Sequence, residues 1–181
     1  MKYKIECFVY NYTNINKFLS LPIFKNCSSI LINWKYYGDN DNIYYESRPL
    51  QQRFTKPFYF NNKNKRNIYF YCAGKTIIRS RLNLTWAHFP HYLKNKPICR
   101  PNGKILKNYF SPPNYSKAFI KHYATKSTEE FIERIIRGAV LTKNTSKKYM
   151  IYRIKHYYFL FNNLNNEKKN FFERKLNISL N

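Results

Sequence analysis

Hydrophobic and polar positions in this chain alternate between two periods. The two-residue period marks strands. Ser28–Tyr36 shows it best, with Ile30, Ile32 and Trp34 on one side and Leu31, Asn33 and Lys35 on the other. Shorter runs predict strands at Ile5–Val9, Ile68–Cys72, Lys75–Arg79 and Ser116–Tyr123. Helical spacing appears at Asn14–Ser20, where Ile15, Phe18 and Leu19 share a face, and at Lys148–Phe161 and Asn166–Leu176. The last of these has an apolar side of Phe171, Phe172 and Leu176. Arg48–Phe54 reads as a helical turn with Pro49 near its start.

The strongest helical signal is Ser127–Gly138. Ser127 and Glu130 have capping-box spacing. Phe131, Ile132, Ile135 and Ile136 form one stripe, and Gly138 is the expected stop. Gly38–Asp41 is a turn by composition, and Lys94–Pro113, with Pro97, Pro101, Pro112 and Pro113, is a long irregular connection. The elements together predict one α/β domain over 1–181. Its sheet and loops occupy 1–126 and its helical part 127–181.

Composition narrows the partners. The chain has 181 residues, enough for one domain with a core, and 19% aromatic residues exclude a disordered tail. Lys+Arg number 33 against nine Asp+Glu, a formal charge of +24, which points toward nucleic acid or an anionic surface. Asn, Lys, Ile and Tyr are in joint excess, however, and the basic residues are scattered without an Arg-rich run. That pattern is expected of AT-rich coding bias, which weakens the inference. Four cysteines lack C-x-x-C spacing, so free thiols in a reducing compartment are expected rather than zinc. No signal peptide or long apolar run is present, which predicts a cytoplasmic protein without a transmembrane segment, with peripheral membrane contact left open.

With nine carboxylates, candidate chemistry has few sources. Asp39 and Asp41 sit in a turn directly after a strand, a usual place for working carboxylates. The same residues also serve turns as backbone acceptors. Lys126 precedes the Ser127 cap, and the helix start with its unpaired N–H groups could face an anion such as a diphosphate. An ordinary capped surface helix has the same signature.

The ordered set I-N-W-K-Y-Y-G-D-N (Ile32–Asn40), R-P-L-Q-Q-R-F (Arg48–Phe54), K-T-I-I-R (Lys75–Arg79) and I-K-H-Y-A-T-K-S-T-E-E-F-I-E-R-I-I-R-G (Ile120–Gly138) resembles the family 92-like glycosyltransferases, relatives of the family 2 enzymes. The resemblance covers most of the chain. It implies a GT-A fold that binds a nucleotide-sugar donor, a glycan acceptor and Mn²⁺ or Mg²⁺. The chain corresponds to the C-terminal portion of that fold, and the nucleotide-binding half is expected upstream of residue 1 or on a separately encoded piece. The family's acidic D-x-D-E-F motif falls on Lys4–Phe8: Glu6 stands for the second acid and Lys4 replaces the first. Glu6 and His122 would then hold the metal. His122, Lys126, Gly38 and Arg53 would face the donor and its diphosphate, and Asp39, then Asp41, would act as general base. The isolated chain is expected to be inactive. The competing reading is a basic RNA-binding protein of ribosomal type.

Overall fold

The structure is a computed structural model. It describes residues 6–9, 14–58, 72–79, 87–88, 92–93, 96–108, 111–138, 146–158 and 164–180. The fold is mixed α/β, with a mixed sheet and several helices. The chain forms two compact units, 1–35 with 59–122 and 36–58 with 123–181. It therefore passes between them after Lys35, after Phe58 and after His122. Residues 36–58, placed with the sheet by the sequence, join the helical unit.

In the first unit the sheet order is β1 (Glu6–Val9), β7 (Ala118–Tyr123), β2 (Ser29–Tyr37), β3 (Gly74–Ile78). A short β6 (Ile98–Cys99) pairs in parallel with the start of β2, and β4 (Ala87–His88) and β5 (Tyr92–Leu93) form a separate ribbon. The strand expected over Ile68–Cys72 lies outside the described residues except for Cys72. β2 and β3 are antiparallel, with Ile30 opposite Ile77 and Ile32 opposite Lys75. Gly74 is opposite Asn33, and a Cβ there would lie 2.3 Å from the Ile32 carbonyl oxygen, so the close approach requires glycine. Alternation explains the core. Ile30 and Ile32 of β2 and Ala118 and Ile120 of β7 pack with Phe18, Phe24, Cys27 and Cys99. Phe18 comes from α1 (Ile15–Leu19), capped by the Asn14 side chain.

The cysteine expectation is corrected. Cys27 and Cys99 form a disulfide, and Cys72 is free and buried. β6 explains the pairing: its parallel register on β2 brings a residue 72 positions away to a Cα separation of 5.7 Å from Cys27. The cysteine spacing carries no sign of it: the prolines of Lys94–Pro113 predict an irregular connection, whereas the segment contains this strand.

The second unit is built on α2 (Leu50–Arg53), α3 (Thr128–Arg137), α4 (Lys147–Arg153) and α5 (Asn166–Leu176). α3 has the full capping box and ends at Gly138, whose φ is 77°. Phe131, Ile132 and Ile135 are buried against Ile154, Tyr158, Phe171, Phe172 and Leu176. Ile136 is 52% exposed, so it falls outside the stripe expected to contain it. The single helix expected over Lys148–Phe161 is also corrected. α4 gives way at Ile154 to a π-helical stretch through Tyr158, which faces both Ile154 and Tyr158 into the core.

Candidate functional site

The Gly38–Asp41 turn is the centre of the second unit's polar interior. Asn40 and Asp41 both adopt left-handed backbone, φ 49° and 63°, which Asn and Asp tolerate best among residues with a Cβ. The turn puts the two carboxylates in opposite environments. Asp39 is 3% exposed, whereas the Asp41 side chain is 75% exposed. Asp39 Oδ1 accepts the Asp41 backbone N–H at 3.0 Å. Its Oδ2 accepts the Tyr158 hydroxyl and lies 3.0 Å from Lys168 Nζ. Lys168 Nζ also reaches Asp41 Oδ1 at 2.7 Å, and Thr128 Oγ1 contacts the Tyr158 oxygen at 2.5 Å. Gly38 is buried beside this cluster in the chain.

The charges respond to these contacts. The Lys168 bond holds the Asp41 carboxyl below its usual range. Burial pulls the Lys168 ammonium toward neutrality, and the bonds to Asp41 and Asp39 outweigh it, leaving its pKa raised. Burial, then the Asp39 carboxylate, push the Tyr158 phenol up, so it serves as a donor and not as a base. Lys168 was absent from the sequence-derived site. A signal existed: it lies three and four residues before Phe171 and Phe172, on the apolar stripe of α5, where a lysine is out of place unless it meets a buried acid.

A second ion pair lies in the same unit. Arg53, at the end of α2, donates to Glu130 Oε2 at 2.6 Å, with side chains 2% and 3% exposed. The guanidinium lies over Tyr45 and Phe54, 5.2 and 4.7 Å from their centroids. Glu130 also accepts from Ser127 Oγ at 2.9 Å and lies 3.4 Å from Lys126 Nζ. Burial works against its charge, and the bonds from Arg53 and Ser127 more than offset that, holding its carboxyl low. Asn42 Nδ2 donates to the carbonyls of Asp39 and Arg53, tying the acidic turn to α2. Arg48 is different: it makes an exposed pair with Glu46.

The start of α3 departs from expectation. Its N–H groups are not open to an anion. Thr128 N–H donates to the Asn42 carbonyl at 3.1 Å, Glu129 N–H to the Ile43 carbonyl at 2.9 Å, and Glu130 N–H to Ser127 Oγ at 3.3 Å. The chain following the acidic turn has filled the helix terminus. Lys126, at φ 62°, is half-buried beside this cap.

In the first unit, His122 ends the inward-facing row of β7. Its ring meets the Trp34 indole edge-on, with centroids 4.2 Å apart. Lys75 Nζ lies over the same indole, 5.6 Å from the ring centroid. Trp34 packs at the border of the core rather than in its centre. Glu6 lies in β1 with its backbone opposite Lys121, and its side chain is outside the described residues. Asp39, Asp41, Arg53 and Lys126 thus belong to the second unit, while His122 and Glu6 belong to the first. No helix among the described residues is long and apolar enough to cross a membrane. Comparisons with protein-family models, with curated proteins and with solved structures gave no match.

Proposed function

We propose that this chain is a glycosyltransferase-like protein of GT-A type, acting in sugar transfer from a nucleotide-sugar donor to a glycan acceptor. One observation carries the reading. Three of the separated blocks on which the family resemblance rests meet within the second unit: Arg53 of Q-Q-R-F bonds Glu130 of S-T-E-E-F, and the chain following G-D-N caps the same helix. A buried pair between blocks 77 residues apart supports the reading.

Under this reading the two aspartates divide the work. Asp39, enclosed by Lys168, Tyr158 and the Asp41 N–H, fixes the turn. Asp41, whose carboxylate reaches solvent, is the one able to meet an acceptor hydroxyl. Arg53 holds Glu130, and Lys126 supplies positive charge beside the cap. His122 serves the diphosphate. The implied Mn²⁺ or Mg²⁺ would be held by Glu6 and His122, a carboxylate and an imidazole that suit Mn²⁺ in particular, and would supply charge neutralisation to the leaving diphosphate.

The test is ligand-observed NMR on residues 1–181 with a panel of nucleotide sugars, with and without Mn²⁺. Saturation transfer to at least one donor, weakened by Lys126→Ala and by His122→Ala, is the expected result. Absence of any donor signal, together with tight RNA binding that falls steeply with salt, would replace the reading with the nucleic-acid one.

A further inference from the structure

We propose that Lys75, His122 and Trp34 form a diphosphate subsite at one end of the first unit's sheet, with Lys75 as a ligand-binding residue. The identity of the ligand, the diphosphate of a nucleotide, rests on the glycosyl-transfer reading. The existence of an anion site does not.

The argument starts from strand parity. On the core-facing side of this sheet, β2 contributes Ile30, Ile32 and Trp34, and β7 contributes Ala118, Ile120 and His122. β3 contributes Ile77, opposite Ile30, and then Lys75, opposite Ile32. All three rows are apolar at one end and change character in step at the other. Ile32 and Ile120 are 1% and 5% exposed, whereas Trp34, His122 and Lys75 are half-buried. An inward row is where a strand normally keeps apolar residues, so a lysine there bears a desolvation cost.

Among the described residues that cost has little compensation. Among the described residues, ion pairs are made by Arg48, Arg53, Lys126 and Lys168, and none by Lys75. The indole face offers a cation–π contact, which offsets only part of the loss of water. A half-buried ammonium on an aromatic floor, with an imidazole against the same floor, is arranged to receive negative charge. An ammonium is a point-charge donor to phosphate oxygens, and the imidazole can donate an N–H to a second oxygen. A diphosphate presents oxygens on two linked phosphoryl groups, so one donor can meet each group. The half-buried surround screens the contact less than bulk water would.

Calorimetric titration of residues 1–181 with sodium pyrophosphate, and in parallel with uridine diphosphate, tests the proposal. Lys75→Gln is expected to weaken pyrophosphate binding about tenfold or more, the usual consequence of losing a hydrogen bond to a charged group. Lys75→Arg should retain binding within a few-fold. Lys104→Gln, an exposed lysine of the same unit, should leave it unchanged. Trp34 provides a second readout. In a Trp86→Phe background it is the sole tryptophan, and its emission should shift on pyrophosphate addition. The proposal is overturned by absent binding, by a silent Lys75→Gln, by Lys104→Gln costing as much, or by poly-U displacing pyrophosphate through Lys75. Pyrophosphate bound through Lys75, with no uridine diphosphate or nucleotide sugar bound, would keep the anion site and remove the glycosyl-transfer reading. A bound nucleotide sugar with a silent Lys75→Gln would do the reverse.

Discussion

Replacing Lys168 with methionine removes the cation that Asp39 and Asp41 share while keeping much of the stem's apolar volume. The two acids give unequal consequences. Lys168 and Asp39 have side chains 1% and 4% exposed at 3.0 Å, whereas the Asp41 side chain is 75% exposed. An exposed partner contributes about 1 kcal/mol at most, so Asp41→Asn should change stability only slightly. Losing Lys168 removes the ammonium that lies 3.0 Å from the buried Asp39 carboxylate, leaving the Tyr158 hydroxyl and the Asp41 N–H among its donors. Breaking a buried pair from one side costs about 3–5 kcal/mol. At this chain length about 1 kcal/mol moves Tm by roughly 2–4 °C, so the variant should melt about 6–20 °C lower. Lys168→Met/Asp39→Leu, with neither charge left, should recover a large part of the loss.

The effect has a pH signature. The lowered Asp41 pKa contributes stability that is complete above the ordinary carboxylate value and is lost as pH falls through the folded value. The raised Lys168 pKa contributes stability that is complete below the ordinary lysine value and is lost as pH rises through the folded value. The gap between wild type and Lys168→Met should therefore be largest around neutral to mildly alkaline pH and narrow toward both extremes. Urea unfolding followed by far-ultraviolet circular dichroism across that range is the assay. A loss below about 1 kcal/mol at pH 7, or a double variant no more stable than Lys168→Met, refutes the reasoning.

Three further outcomes are expected. Gly74→Ala should destabilise the first unit by about 1–3 kcal/mol or abolish soluble expression, since the new Cβ meets the Ile32 backbone and not a movable side chain; an unchanged urea midpoint would contradict this. Cys99→Ser should lower the unfolding free energy from urea titration by about 2–4 kcal/mol under oxidising conditions and leave it little changed relative to wild type in dithiothreitol. Cys72, whose buried thiol is pushed up to about 11, should resist iodoacetamide at pH 8 in native protein and react on unfolding, as read by peptide mass spectrometry.

What the sequence revealed was local. The capping box, the β2 strand and the Gly138 stop all rest on residues within a few positions of one another, and each appears in the structure. What it concealed was remote. Nothing near Asp39 announces Tyr158, 119 residues on, and nothing near Cys27 announces Cys99, 72 residues on. Such partners follow from strand register and helix packing, which side-chain period does not encode. The electropositive α3 terminus failed as an anion site for the same reason: its N–H groups are consumed by carbonyls of Asn42 and Ile43, more than 80 positions earlier. Ile136 lies outside the buried stripe because stripes three and four residues wide look alike in sequence, and only the packing surface decides which positions are covered.

The interleaved path of the chain bears on how the protein emerges from a ribosome. The second unit opens at Tyr36 and cannot close until α5 has been made. Asp41 must wait 127 residues for Lys168, roughly 6–25 s at 5–20 residues per second. During that interval the first unit can complete itself at His122, while the Asp39 turn and α2 hang as an unfinished loop within it. Asp39 remains hydrated until the late lysine arrives, so its burial and the closing of the helical core are one event. Arrest of translation before Lys168 should leave nascent chains in which 36–58 is protease-sensitive although the sheet has formed, and synthesis through α5 should render 36–58 resistant.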